Sequence, residues 1–292
     1  MSKDVEPFLS ENGPLAVICG GGNLPLAVAD AAARGGRSVV LFPIRGWADP
    51  IPAGYRQHWV SFGNFGSFCR VARAEGCRDV VFIGSLVRPG ILQLRPDLKT
   101  LRLLPKIWRM FRGGDDHLLR GVASIFEEHG FRVVGAHEVA PEILMPEGPI
   151  GTLRPNSSQE ADIEKGLALL DAISPFDVGQ AAVVENGRVL AMEAAEGTDA
   201  MLRRVEQLRR NGVIERAAVR GVLVKAVKRT QNLRLDLPSI GPQTIEMVAR
   251  ARLGGIAATA GGAIIAQSER IGMAADREKL FVIGVRATSA QR

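Results

Sequence analysis

Short apolar runs alternate with segments of helical periodicity through the first half of the chain. The apolar runs cover residues 15–19, 38–42, 79–84 and 131–135, and the helical segments cover 25–34, 65–75 and 115–128. Strands that alternate with helices in this way indicate a parallel, doubly wound sheet. We therefore predict an α/β protein that begins with a Rossmann-like domain over residues 13–138, preceded by a flexible tail over residues 1–12.

The second half of the chain combines helices with a hairpin. Ser157 and Glu160 have the spacing of a capping box, which predicts a helix that runs to about residue 173. Two apolar runs then flank Asn186-Gly187, the strongest short signal for a β-hairpin. A helix over 199–210 and a strand from 221 follow, so we predict a second α/β domain over 157–292.

Residues 139–156 lie between the two predicted domains and contain four prolines. Proline cannot donate a backbone hydrogen bond to a helix or a central strand. We therefore predict that this segment is an inter-domain linker.

Composition narrows the classes of protein to consider. The chain carries a net charge of +6, but its arginines are scattered and few aromatic residues lie near them, so we expect no nucleic-acid partner. The three cysteines form no CxxC pair, which disfavours a zinc or disulfide scaffold and favours a reducing cytoplasm. We expect Cys19 to be a packed thiol. We also expect no signal peptide, and the sequence has no apolar run that approaches the roughly 18 residues of a membrane span.

A glycine-rich turn follows the first predicted strand. Residues 20–25 read Gly-Gly-Gly-Asn-Leu-Pro and lead into a helix, and free amides at a helix N-terminus attract anions. Gly21, Gly22, Asn23 and Leu24 are thus candidate contacts for a nucleotide or phosphate, although a tight turn alone would explain the same residues. Residues 39–44 hold no acid for a ribose hydroxyl, which disfavours NAD.

Two further segments hold charged residues at predicted strand ends. Arg88 follows the strand at 79–84, where it would suit a phosphate or a uracil carbonyl, or lie on the surface. In the segment 221–246, a strand ends at Lys225, Lys228 follows, and Asp236 precedes a helix that Gly241-Pro242 opens. Cations and a carboxylate at one strand–loop–helix corner suit a phosphorylated ligand with a metal ion.

Acidic residues recur around the start of the helix predicted over 199–210. Glu193, Glu196 and Asp199 are spaced by three residues, with Gly197 and Thr198 between them. Thr198 is a candidate helix cap, and a capped helix with solvated charges would account for the whole segment. A bound cation would also offset this concentration of negative charge.

Five segments in this order resemble the LpxI family over essentially the whole chain. They are the Gly-Gly-Gly-Asn-Leu-Pro turn at 20–25, the Gly-Asp-Asp helix start at 114–116, Gly-Ala-His-Glu-Val at 135–139, Glu-Gly-Thr-Asp-Ala-Met-Leu-Arg-Arg at 196–204 and Asp-Leu-Pro-Ser-Ile-Gly-Pro at 236–242. The resemblance implies hydrolysis of UDP-2,3-diacylglucosamine in lipid A synthesis, with UMP and 2,3-diacylglucosamine 1-phosphate as products. It also implies Mg²⁺ or another divalent cation such as Mn²⁺, and a catalytic C-terminal domain with the lipid nucleotide held between the two domains.

The resemblance and the residue patterns described above together assign roles to individual residues. Asp236, Lys225 and Lys228 would be catalytic, and Asp236 and Asp199 would hold the metal. The substrate-binding residues would be Gly21, Gly22, Asn23, Leu24, Arg88, Glu196, Gly197, Thr198, Asp199 and Gln231. One departure lies in the loop itself, because Val227 stands between Ala226 and Lys228 where we expect proline in the family.

The resemblance to the LpxI family also has implications for partners and location. It implies a lipidated nucleotide-sugar substrate and favours a homodimer. Positive net charge would suit peripheral contact with the cytoplasmic face of the inner membrane. Two other classes of function stay open from the residues alone: a non-catalytic nucleotide-sugar-binding protein and, with less support, an NAD-dependent oxidoreductase.

Overall fold

The computed structural model describes residues 13–86, 96–110, 115–215, 220–228, 232–265 and 267–286. The chain divides into two compact units. The first comprises Met1–Glu142 with Asn232–Leu235, and the second comprises Ile143–Gln231 with Asp236–Arg292. Each unit contains a β-sheet and helices, which confirms the predicted α/β fold. None of the helices among the described residues combines the length and the apolar character needed to cross a membrane.

The first unit contains a four-stranded sheet in which every pair of neighbouring strands is parallel. The spatial order is β2-β1-β3-β4, where β1 is Leu15–Cys19, β2 Val39–Pro43, β3 Asp79–Ile83 and β4 Arg132–Val133. Its helices are α1 (Leu24–Arg34), α2 (Phe65–Ala74), α3 (Leu98–Met110), α4 (Asp115–Glu128) and α5 (Ala136–Val139). The predicted parallel sheet is therefore present.

Aromatic side chains from several elements form much of this unit's core. Phe68 of α2 packs edge-on against Phe42 of β2 with ring centroids 4.8 Å apart, and Phe126 of α4 lies 4.9 Å from Phe82 of β3. Cys19 is buried at the end of β1, and burial raises the pKa of its thiol from 9.0 to about 12. It is thus a packed thiol, as predicted, and is protonated at neutral pH.

The second unit contains a six-stranded mixed sheet in the order β5-β10-β9-β8-β6-β7. The strands are β5 (Gly148–Ile150), β6 (Ala181–Glu185), β7 (Arg188–Met192), β8 (Val222–Lys225), β9 (Gly255–Thr259) and β10 (Phe281–Val285), and the helices are α6 (Ser157–Ile173), α7 (Gly197–Arg210), α8 (Pro242–Arg250) and α9 (Ser268–Arg277). Strands β8, β9 and β10 run parallel, whereas β5 and β6 pair antiparallel at either side. Strand β8 is thus an interior strand, flanked by β6 and β9.

Two local predictions need correction, and one is confirmed. The capping box of α6 is formed by Asn156 and Gln159, each of which accepts the other's backbone N–H at 3.0 Å, and not by Ser157 and Glu160. Helix α7 begins at Gly197, so Thr198 lies inside its first turn and is not its cap. The Asn186-Gly187 hairpin turn is present, with both residues at positive φ (50° and 73°) as a type I′ turn requires.

Candidate functional site

A buried lysine lies at the carboxyl end of an interior strand of the second unit. The Lys225 side chain ends β8 and is only 6% exposed, and its Nζ donates to Thr198 Oγ1 at 3.2 Å and to the Ser239 carbonyl at 3.0 Å. Burial lowers the pKa of this ammonium below 10.5, while the carboxylates of Glu193, Asp199 and Asp236 act in the opposite direction. The lysine therefore lies within electrostatic reach of three acids.

Glu193, just after β7, connects this lysine to the start of β6. Its Oε1 accepts the Thr198 hydroxyl at 2.8 Å, and its Oε2 accepts the backbone N–H of Gln180 at 2.8 Å. Gly179, the residue before Gln180, has no room for a side chain, since a Cβ there would lie 2.2 Å from the Glu193 carbonyl oxygen. A glycine at 179 thus allows the two strand ends to approach closely.

Asp236 is held by the side chain of Gln180. The amide Nε2 of Gln180 donates to Asp236 Oδ2 at 2.5 Å, while its buried Oε1 has no hydrogen-bond partner among the residues that the structure describes. Hydrogen bonds therefore link Lys225 to Thr198, Thr198 to Glu193, Glu193 to the backbone of Gln180, and the Gln180 side chain to Asp236. We refer to these five residues as the Lys225–Asp236 network.

Lys228 lies beside this network in an ion pair of its own. Its Nζ contacts Asp177 Oδ1 at 2.5 Å, with 11% of the Lys228 side chain and 31% of the Asp177 side chain exposed. Asp177 has a left-handed backbone (φ 52°, ψ 38°), which costs energy for any residue other than glycine and is tolerated best by Asn and Asp. A ligand that used Lys228 would therefore share it with Asp177.

The acidic run at the start of α7 is partly neutralised. Arg204 pairs with Glu196 at 3.2 Å, and Gln243 of α8 donates its Nε2 to Asp199 Oδ2 at 2.8 Å. Gly197, at φ 79°, turns the chain into the helix. The negative charge is therefore partly offset within the protein by Arg204 and Lys225, which the sequence pattern did not reveal.

Two oxygen donors are present at the metal site predicted around Asp236. No group of three or more His, Cys, Asp or Glu side chains arranged to hold a metal occurs among the residues that the structure describes. Mg²⁺ is usually held by one or two carboxylates, with water and substrate phosphate completing its shell. The carboxylate of Asp236 and the unpartnered amide oxygen of Gln180 are donors of that type.

The glycine-rich turn belongs to the first unit and connects β1 to α1. Gly21 pairs with Ser85, each accepting the other's N–H at 2.9 Å, and a Cβ on Gly20 would lie 2.6 Å from the Ser85 carbonyl oxygen. The N–H of Gly22 donates to the carboxylate of Asp49 at 2.7 Å. Asn23 precedes α1 without a side-chain capping bond, and Leu24 is its first residue.

These contacts refine the expectation of an anion site at this turn. The Gly21 amide is committed to the sheet edge, whereas the Gly22 amide already donates to an anionic group, the Asp49 carboxylate. Asp49 was not singled out from the sequence, because an isolated aspartate in a polar loop carries no signal of its own. Two other predicted contacts, Arg88 and Gln231, lie outside the described residues.

Comparison with known proteins shows which family has these features. A model of the LpxI N-terminal domain matches residues 14–143, and a model of the LpxI C-terminal domain matches residues 146–283. The chain belongs to the LpxI family. A curated LpxI relative, the UDP-2,3-diacylglucosamine pyrophosphatase of Caulobacter vibrioides, is 44% identical over 273 residues, which cover 93% of this chain and 97% of the relative.

In this LpxI-family chain the structure joins residues that the sequence left separate. Lys225, Thr198 and Asp236 were predicted site residues, and the Lys225–Asp236 network connects them through Glu193 and Gln180. The sequence pattern indicates Glu193 only as one of three spaced acids, and it gives no indication of Gln180. The available signal was a glycine and a polar residue directly before a fully buried strand, which is common in proteins and therefore weak.

Proposed function

We propose that this chain hydrolyses the pyrophosphate bond of UDP-2,3-diacylglucosamine to give UMP and 2,3-diacylglucosamine 1-phosphate in lipid A synthesis. The name of the Caulobacter relative supports the substrate, because the alignment spans nearly all of both proteins. The observation within the molecule that carries the proposal is the hydrogen-bonded connection of a buried lysine to Asp236. A cation and a carboxylate held together in this way suit phosphoryl chemistry.

Lys225 would neutralise the pyrophosphate. An ammonium has three N–H donors, and among the described residues Thr198 and Ser239 accept two of them. The remaining donor is available to a phosphate oxygen, where the low dielectric around a buried group strengthens the interaction. Lys228 would add a second positive charge while it remains paired with Asp177.

Asp236 would orient and deprotonate the attacking water. The Gln180 amide takes up one oxygen of its carboxylate, Oδ2. The family resemblance favours attack on the sugar-side phosphorus, so that the new P–O bond forms on diacylglucosamine phosphate and UMP leaves with the bridging oxygen. Hydrolysis in ¹⁸O-labelled water should then label the lipid product and leave UMP unlabelled.

We further propose that Mg²⁺ or Mn²⁺ takes part, with Asp236 and Asp199 as ligands. When bound, such an ion would neutralise phosphate charge and polarise the phosphoryl group. The donor set is of the hard-oxygen kind that these ions prefer, and the buried Oε1 of Gln180 is a further donor of that kind.

The glycine-rich turn of the first unit would also hold a phosphate group. The Gly22 amide would hold a nucleotide or sugar phosphate in place of the Asp49 carboxylate, next to Asn23 and Leu24. Glu196, Gly197, Thr198 and Asp199 would line the substrate side of α7. Cytoplasmic location, contact with the inner membrane and a homodimer belong to the same proposal.

One assay tests the proposal. Purified protein is incubated with UDP-2,3-diacylglucosamine and UMP is measured, first with EDTA and then with Mg²⁺ or Mn²⁺ restored. We expect UMP release that EDTA stops and the added ion restores. Substrate binding without UMP under any metal condition would point to a nucleotide-sugar-binding protein, and turnover unaffected by EDTA would remove the metal from the proposal.

A further inference from the structure

Helix α3 of the first unit presents a continuous exposed face. Its exposed positions follow one helical stripe, with spacings of three and four residues, and they are Leu98, Leu101, Arg102, Pro105, Trp108 and Arg109. Leu98 is 80% exposed and Trp108 is 56% exposed. Large apolar side chains this exposed, on one face of one helix, are typical of an interaction surface.

The opposite side of α3 is anchored to the rest of the unit. The carboxylate of Asp97 accepts the backbone N–H of Thr100 at 2.8 Å and that of Ser67, in α2, at 3.1 Å. The Thr100 hydroxyl in turn accepts the backbone N–H of Phe65 at 3.2 Å. The inner side of α3 is therefore bound to the rest of the unit, and its exposed face points outward.

Charge indicates what this face would contact. Helix α3 contains Lys99, Arg102, Lys106 and Arg109 and no acidic residue. Lys106 pairs with Glu128 and Lys99 lies over the ring of Phe65, whereas Arg102 and Arg109 lie on the exposed stripe. Between residues 88 and 112 the sequence has seven cations and a single acid, Asp97.

We propose that the exposed face of α3 docks on an anionic phospholipid bilayer. Leucine and tryptophan side chains enter the headgroup region of a bilayer, and flanking arginines bind lipid phosphates. A second protein chain fits less well, since one face of a helix about 20 Å long offers only a fraction of the roughly 1,000 Å² that a stable interface needs. The proposal does not depend on the proposed reaction, because the face contains no residue assigned to it.

Vesicle co-sedimentation tests this docking surface. Wild-type protein is mixed with vesicles of 30% phosphatidylglycerol and 70% phosphatidylethanolamine, and with neutral phosphatidylcholine vesicles. We expect binding to the anionic vesicles that weakens with added salt, because screening shortens the reach of the arginines. Leu98→Gln/Leu101→Gln/Trp108→Gln and, separately, Arg102→Glu/Arg109→Glu should each lower the partition coefficient by about tenfold or more.

Two controls make the result specific to this face. Val213→Gln/Met273→Gln removes exposed apolar side chains from the second unit and should leave vesicle binding unchanged. Brominated lipids should quench wild-type tryptophan fluorescence, and Trp108→Phe should lose that quenching. Absence of wild-type binding to anionic vesicles would overturn the proposal, as would full binding by the α3 variants or a dimer in solution that only those variants disrupt.

A second inference rests on a separate observation, the contact between Gln180 and Asp236. The backbone of Gln180 is held by Glu193 Oε2 and by the N–H of Ala226, at 2.8 and 3.0 Å. Its side chain is therefore presented from a fixed backbone, and its Nε2 donates to Asp236. Within the described part of the chain the buried Oε1 has no partner, although a buried carbonyl oxygen without one is costly.

We infer that Gln180 is a positioning residue that acts through Asp236, an inference that rests on the proposed function. The amide would hold the carboxylate in the one orientation in which it acts on water or a metal ion. The Oε1 atom supports a role in the loaded site, because a buried oxygen without a hydrogen bond costs stability and a bound group would supply its partner. Residues of this kind typically contribute about tenfold to hundredfold to activity.

A double-mutant cycle tests Gln180. We expect Gln180→Leu to lower kcat by about tenfold to hundredfold with KM changed less than about threefold, while Gln207→Leu, an exposed glutamine of α7, stays at the wild-type rate. In an Asp236→Asn background, Gln180→Leu should cause almost no further loss. Additive losses, or a wild-type kcat for Gln180→Leu, would overturn this inference, whereas an inactive wild type would instead contradict the proposed function.

Discussion

Lys225 is buried, an environment that lysine side chains rarely occupy. A lysine buried at a strand end keeps its charge only at an energetic cost, which the neighbouring carboxylates partly offset. Its pKa is therefore lower in the folded protein than in the unfolded chain. This difference makes the free energy of unfolding sensitive to the protonation of the lysine.

Replacement of Lys225 should reveal the lowered pKa of this lysine through the pH dependence of the free energy of unfolding. Between the lowered folded pKa and 10.5, the unfolded chain binds the proton that the folded protein lacks, so stability rises with pH. The unfolding free energy of the wild type, relative to that of Lys225→Met, should therefore rise as pH approaches 10.5, by at most about 1.4 kcal/mol per pH unit. Urea unfolding from pH 7 to pH 10, with EDTA present, measures the difference.

The control for this measurement is Lys165→Met, which removes an exposed lysine of α6 in the same unit. It should follow the wild-type pH dependence. A wild-type advantage over Lys225→Met that falls with rising pH would contradict the assigned direction of the shift. Lys225→Met should also lose nearly all UMP release, since the phosphate would face a neutral side chain.

The cap of α6 shows which features of a helix the sequence predicts and which it does not. Residues 156–160 read Asn-Ser-Ser-Gln-Glu, so two capping boxes one residue apart satisfy the same rule. The structure uses Asn156 and Gln159, and the sequence rule alone cannot choose between registers that differ by one residue. The existence of the helix was predictable, and its first residue was not.

Two alanine substitutions distinguish these registers. Asn156→Ala should lower the unfolding free energy by about 1 kcal/mol, because the N–H of Gln159 loses its acceptor. Ser157→Ala should change it by less than about 0.5 kcal/mol. Urea unfolding at neutral pH measures both, and a larger loss for Ser157→Ala would restore the original assignment.

A buried ion pair connects the strands of the first unit. Asp79, at the start of β3, accepts two hydrogen bonds from Arg132 of β4 at 2.8 and 2.7 Å and one from Arg37, just before β2. Burial alone would raise the pKa of this carboxyl, but the two arginines outweigh it and hold the pKa below 3.8. The charged carboxylate is therefore part of the folded state.

Loss of that charge should destabilise the first unit. Asp79→Asn should lower the unfolding free energy by about 2–3 kcal/mol at pH 7. This value is smaller than for a fully buried ion pair, because Arg132 is largely exposed to solvent. The wild type should lose this stabilisation as pH falls below 3.8, and the variant should show a smaller acid dependence. Urea unfolding at pH 7 and pH 3 checks both, and equal stability of the two proteins at pH 7 would contradict the role of the ion pair.

For the whole molecule, the sequence predicted the fold class and the family more completely than it predicted the site. The parallel sheet of the first unit and the hairpin follow from local patterns, which is why they were recoverable. Gln180 and Asp236 are 56 residues apart, and Asp49 is 27 residues from Gly22. Such contacts depend on how loops end and meet in space, and no periodic pattern in the chain encodes them.

In the proposed reaction Asp236, held by the Lys225–Asp236 network, drives hydrolysis of the UDP pyrophosphate. The most direct test compares UMP release from UDP-2,3-diacylglucosamine by the wild type and Asp236→Asn, with substrate affinity measured by calorimetry. Asparagine retains an oxygen that accepts from Gln180 but cannot take a proton from water. We expect turnover to fall by about 10²- to 10⁴-fold with affinity nearly unchanged, whereas near wild-type turnover by Asp236→Asn would contradict the catalytic role proposed for Asp236.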